Sequence, residues 1–174
     1  MTANRSKRLQ SGTTLAETLV AVALIGAFFA TIFELSAVCL RYIDASKESI
    51  AALQGVQDRV EALRNLAFTD LTNATYLKNL MATPANGSDF AKTKATEAVT
   101  LKAYNTSTIP PSISVTGIQI SRPAGAVVTP SIDLNSLAPS AAVVLVNVKY
   151  QWSMLGGRSG SEQTETIISS GNKK

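Results

Sequence analysis

The sequence predicts an α+β protein: a long N-terminal helix, half membrane-spanning and half amphipathic, packed on a small antiparallel β-sheet. Three observations predict it. Residues 18–40 form an apolar run whose single charge is Glu34. Apolar residues then recur at three- and four-residue steps as far as Ala67, the period of one helix face. Beyond Pro111 the period drops to two, most plainly at Val144, Val146, Val148, Tyr150, Trp152 and Met154.

The first element is the apolar run. As a helix, residues 18–40 cover roughly 35 Å, enough for a bilayer core of about 30 Å. Arg5, Lys7 and Arg8 precede it, whereas Arg41 and Lys47 beyond it are balanced by Asp44 and Glu48. That asymmetry predicts a single-pass membrane protein with its N-terminus in the cytoplasm. Glu17 stands at the head of the run, and a carboxylate at the hydrocarbon centre costs on the order of 3 kcal/mol. Glu17 and Glu34 lie about 25 Å apart along a helix, so each reaches an interface. The plainest reading is an uncleaved signal anchor. A secretory cut after the run fits poorly: Ser36-Ala37-Val38-Cys39 is the nearest small-residue site, and Val38 is too bulky. Cys39 reads as a small apolar helix residue.

The stretch Gly12-Thr13-Thr14-Leu15-Ala16-Glu17-Thr18-Leu19-Val20-Ala21, behind a short basic leader, resembles the prepilin-type signal of type IV pilins and type II secretion pseudopilins. The common pattern of that family is Gly, then Phe-Thr-Leu-Ile-Glu and an apolar run opening much like Val-Leu-Val-Ala. Thr14, Leu15, Glu17, Leu19, Val20 and Ala21 agree with it, as do Ala23 and Gly26. The resemblance implies a pilin-like fold and removal of residues 1–12 by a prepilin peptidase that cuts between Gly12 and Thr13. It implies N-methylation of the new Thr13 amine, and pairing of Glu17 with the Thr13 amine of a neighbouring subunit during assembly. Two opposite charges at like depth neutralise each other where a lone one is costly. Thr13 departs from the usual Phe or Met, and Glu34 stands where major pilins commonly carry a kinking Pro; no Pro occurs before Pro84. Both departures favour a minor pilin or minor pseudopilin.

Residues 13–40 are thus expected as the transmembrane half of the helix and 41–68 as its amphipathic half. Ile43, Ile50, Leu53, Val56, Val60, Leu63 and Ala67 form the predicted stripe, with Gly55 off it. A coiled-coil seam would be longer and more regular. Residues 69–112 read as a loop-rich connection holding one short helical piece at Tyr76–Met81, a turn at Pro84–Ser88 and a first strand at Ala98–Tyr104. Residues 113–174 read as the sheet region. Ile113–Ser121 is a strand in which Gly117 shifts the apolar phase, predicting a bulge. Pro123, Pro130 and Pro139 break the next stretch of chain into short pieces. Ala142–Met154 is the clearest strand, and a Gly-rich turn at residues 156–160 returns the chain as Gln163–Ser169. That ending also resembles minor pseudopilins, over about the last thirty residues.

The formal net charge of +4 suggests a nucleic-acid partner only while the leader is counted. Three of the sixteen basic side chains lie in residues 1–12 and all twelve acids follow, leaving thirteen bases against twelve acids. No basic cluster with interleaved aromatics remains, and Lys92 with Lys94 reads as a solvated loop. There is no His, and the single Cys lies in the apolar run, which excludes a disulfide in the soluble part. No zinc spacing, phosphate loop or nucleophile–base pairing can be assembled. Glu162 and Glu165 read as strand residues rather than an acid–base pair, and Tyr150 with Trp152 as core rather than a sugar platform. No catalytic residue, cofactor, metal or small-molecule substrate is expected. The expected partners are other pilin or pseudopilin subunits through the N-terminal helix, the prepilin peptidase, and the inner membrane before assembly into a periplasmic or cell-surface filament. The alternative is an uncleaved anchored domain whose loops at Asn73–Ser112 bind an extracytoplasmic ligand.

Overall fold

The computed structural model describes residues 14–107, 110–125, 129, 131–135, 137, 141–154 and 157–172. Helix α1 runs without interruption over Leu15–Arg64, followed by α2 (Phe68–Leu71), α3 (Ala74–Met81) and one π-helical turn at Phe90–Lys94. Five strands complete the chain: β1 (Thr96–Asn105), β2 (Ser112–Arg122), β3 (Ser131–Asn135), β4 (Val143–Ser153) and β5 (Ser159–Ser169). They form one antiparallel sheet in the order β3-β2-β1-β4-β5. The predicted layout of a long apolar N-terminal helix and a small antiparallel sheet is what the chain adopts. The chain divides between Ile43 and Asp44 into two units.

In the first unit every described residue is exposed. Leu19 (64%), Phe28 (63%) and Phe33 (71%) illustrate an apolar helix with no protein around it. The helix is long and apolar enough to cross a membrane, with a mean hydropathy of 2.2 over its best stretch.

In the second unit the outer half of α1 packs on the sheet. Ala52, Val56, Val60 and Leu63 meet Leu71, Leu77, Met81 and Phe90 and the inward row Val99, Leu101, Ile118, Ile120, Val144, Val146 and Val148 in one core. The predicted stripe needs a correction. Ile50 (55%) and Leu53 (44%) are largely exposed, whereas Gly55 is buried. A Cβ on Gly55 would sit 3.0–3.1 Å from the Tyr150 ring and hydroxyl, so a side chain here requires that ring to give way. A stripe drawn from large apolar residues misses the position where the smallest residue leaves room for the Tyr150 ring.

Helix α1 ends at Arg64 rather than Ala67, because Ala67 turns extended (φ −60°, ψ 147°) to open α2. The short helix predicted at Tyr76–Met81 begins at Ala74, capped by Asn73, whose side chain accepts from the N–H groups of Thr75 (3.0 Å) and Tyr76 (3.1 Å). The Pro84–Ser88 turn is held by Asn86 Oδ1, which accepts from Ser88 N at 3.2 Å and Ser88 Oγ at 2.6 Å.

The phase change at Gly117 is present. Lys102 faces Gly117 but Tyr104 faces Ile113, so β2 carries extra residues between them. Ile118 and Ile120 point inward, while Ile113 (48%) and Val115 (90%) are exposed. A Cβ on Gly117 would fall 2.1 Å from the Leu101 carbonyl oxygen, which only glycine avoids. Strand β4 alternates as predicted, and β5 starts at Ser159, four residues earlier than expected.

Candidate functional site

Two places concentrate polar chemistry. The first is the head of α1. Thr14 Oγ1 accepts from Glu17 N at 3.3 Å, and Glu17 Oε2 accepts from Thr14 N at 3.2 Å. This reciprocal capping box satisfies two of the amides that a helix start leaves unpaired, and places a negative charge on the positive end of the helix dipole. Glu17 therefore already has a partner within its own chain. Gly12 and Thr13, the expected cleavage and methylation positions, lie outside the described residues. Glu34 is exposed within the helix.

The second place is buried. Glu97, on β1, shares the inward phase of Val99 and Leu101; Arg122, on β2, shares that of Ile118 and Ile120. Arg59 comes from the sheet-facing side of α1, one turn past Gly55. All three side chains are at most 2% exposed. Arg59 Nε donates to Glu97 Oε1 at 2.5 Å and Nη2 to Oε2 at 3.2 Å, a two-pronged pair. Arg122 Nε donates to the same Oε2 at 3.2 Å. Other guanidinium N–H groups reach backbone carbonyls: Arg59 to Thr83 (2.7 Å) and Leu80 (3.4 Å), Arg122 to Ala91 (2.7 Å). One carboxylate thus ties together α1, β1, β2, the end of α3 and the π-helical turn.

Tyr150 adjoins this cluster from β4. It is fully buried, and its hydroxyl makes no hydrogen bond of good geometry. Burial pushes its phenol far above the ordinary tyrosine range, the Glu97 carboxylate pushes it further, and Arg59 and Arg122 oppose the shift. Trp152 stacks edge-on against Phe90, with ring centres 5.4 Å apart and planes at 80°, and its indole N–H is likewise unpartnered. Both aromatics are core residues, as their strand phase predicts.

The two lysines expected to be solvated are both exposed, and one of them also pairs. Lys94 Nζ reaches Glu48 Oε1 at 2.7 Å; that hydrogen bond and charge raise the lysine above its usual value. Glu162 and Glu165 serve separate contacts: Ser49 Oγ donates to Glu162 at 2.9 Å, and Asn147 Nδ2 donates to Glu165 at 3.0 Å. Among the described residues no group of three or more His, Cys, Asp or Glu side chains is placed to hold a metal ion.

The sequence reading missed Arg59, Glu97 and Arg122. The signal for two of them was present: a charged residue in the inward phase of an alternating strand has to find a buried partner. No family model, curated protein or solved structure gives a significant match to the chain.

Proposed function

We propose that the chain is a structural subunit, a minor pilin or minor pseudopilin, of a type IV pilus-like or type II secretion filament. A prepilin peptidase cuts after Gly12, and the subunit assembles through its N-terminal helix. The observation that carries this reading is the continuity of α1. One 50-residue helix starts at a capped Thr14, exposes apolar side chains throughout its first half, and packs a sheet against its second. Such a helix suits exchange of lipid for neighbouring helices of the same kind, and the motif from Gly12 to Ala21 supplies the processing signal. Function would then be mechanical, with the sheet forming the filament's outer surface.

The capping box favours a second reading. A Glu17 satisfied by its own chain needs no incoming amine, as in an uncleaved anchor that carries a binding domain. Intact mass of the chain extracted from membranes separates the two. Loss of residues 1–12, with or without one methyl group on Thr13, supports the subunit; a full-length chain overturns it.

A further inference from the structure

The β4–β5 ladder is unbroken from Val143 opposite Ser169 to Ser153 opposite Ser159. Just beyond its ends, Met154 N donates to Arg158 O at 2.7 Å and Ser170 N donates to Ala142 O at 2.8 Å. In an antiparallel ladder every second pair exchanges the hydrogen bonds. Both bracketing pairs are in phase with Gly160, Glu162, Thr164, Thr166 and Ile168, so these five bond to β4. Ser161, Gln163, Glu165 and Ile167 therefore turn their N–H and C=O groups away from β4, toward the outer edge of the sheet. Among the described residues nothing bonds to those groups.

We propose that this edge of β5 is a recognition site, and that it takes up an extended, basic segment of a partner protein as a sixth strand. Exposed edges are ordinarily blunted by shortness, proline, lysine or a bulge. The opposite edge, β3, is five residues long and has a register shift against β2. Strand β5 is eleven residues long and has no proline, lysine, arginine or bulge. Its charges are Glu162 and Glu165 alone, and among the described residues no cation pairs with either. They lie on opposite faces of the strand, so a partner with Lys or Arg on both of its faces meets a carboxylate with each. Ile167, 54% exposed and opposite Leu145 on the outer face, takes an apolar or β-branched side chain at one end. Main-chain bonds would give affinity and these side chains orientation, the usual division in strand addition. The site lies wholly in the sheet and stands whether or not the leader is removed.

Amide exchange of the full chain in nonionic detergent tests this. The probe is a blocked synthetic peptide of about nine residues, long enough for one strand, built as a Lys-Val-Thr repeat so that successive lysines fall on opposite faces. It should slow exchange at Ser161, Gln163, Glu165 and Ile167 at least about fivefold, because those amides are otherwise open to water. The same peptide with Glu for Lys should not. Gln163→Pro removes one outward N–H and leaves the bonds of Glu162 and Thr164 to β4 in place, so binding should be lost. If that variant fails to fold, a Lys peptide N-methylated at every amide, so that neither edge can donate, makes the same test on the unaltered chain. The proposal is overturned by unchanged exchange with the Lys peptide, or by equal protection with the Glu or methylated peptide. It is also overturned by protection without peptide that grows with protein concentration, which would mark a second copy as the occupant.

Discussion

Arg59 and Glu97, 38 positions apart in the chain, form a bidentate ion pair with almost no solvent access, and Arg122 completes it. Taking three charges out of water is expensive, and the attraction among them repays this only while all partners are present. The cluster sets the axial position of α1 on the sheet, since sliding the helix by one turn would leave the carboxylate facing Gly55 or Leu63 instead.

Removing one member should hurt more than replacing all three. Glu97→Gln leaves two buried guanidiniums short of a counter-charge and should cost about 3–5 kcal/mol. The triple variant Arg59→Met, Glu97→Leu, Arg122→Met should lose less, although it strands the carbonyls of Thr83 and Ala91. Denaturant unfolding of the three proteins in detergent makes the comparison. A triple variant weaker than Glu97→Gln would show that the cluster contributes net stability.

Gly55 should reject a β-branched side chain. Alanine would gain up to about 1 kcal/mol of helix propensity. Its Cβ would meet the Tyr150 ring and hydroxyl at 3.0–3.1 Å, so valine there should destabilise by about 2 kcal/mol or more. Thermal unfolding of Gly55→Val checks this, and a melting temperature equal to wild type would contradict the packing described.

Tyr150 predicts an alkaline instability. Its folded value lies above the unfolded value of 10.0. The unfolded chain therefore releases this proton first, and between the two values it binds fewer protons than the folded chain. Stability should be unaffected below about pH 9 and fall above about pH 10, with a limiting slope near 1.4 kcal/mol per pH unit. Tyr150→Phe should remove that part of the slope and be nearly neutral at pH 7, because the deleted hydroxyl lacks a hydrogen bond of good geometry. Unfolding midpoints of both proteins from pH 7 to 11 provide the measurement.

Thr14→Ala should fray the head of α1 by about 1 kcal/mol. Faster amide exchange at residues 15–18, with the sheet unchanged, is the expected result. Unchanged exchange would remove Thr14 as the cap.

The long helix, the β4 alternation and the phase change at Gly117 were legible because each rests on periodicity over many residues. Other features rest on a single residue in context. Gly55 carries no apolar signal, yet the Tyr150 ring packs where its side chain would be. Glu97 and Arg122 were visible as charges in inward phase, but Arg59 was hidden among the charged residues around it, Asp58 and Glu61. Strand β3 was not legible, because Pro130 and Pro139 break the sequence around it into short pieces. The capping box was spelled by Thr14 and Glu17 three residues apart. The carboxylate drew attention instead as a charge entering a membrane.

Trp152 is the only tryptophan in the chain, and a Cβ on Gly160 would lie 2.4 Å from its ring. The ring rests on the bare backbone of β5 and abuts Phe90, with the Met154 methyl group also close to Gly160. The protein therefore carries a built-in optical probe. Its emission should shift to the red as soon as the β4–β5 hairpin or the π-helical turn loosens. No second indole anywhere in the chain contaminates that signal, so the state of the sheet can be followed whatever surrounds the apolar half of α1.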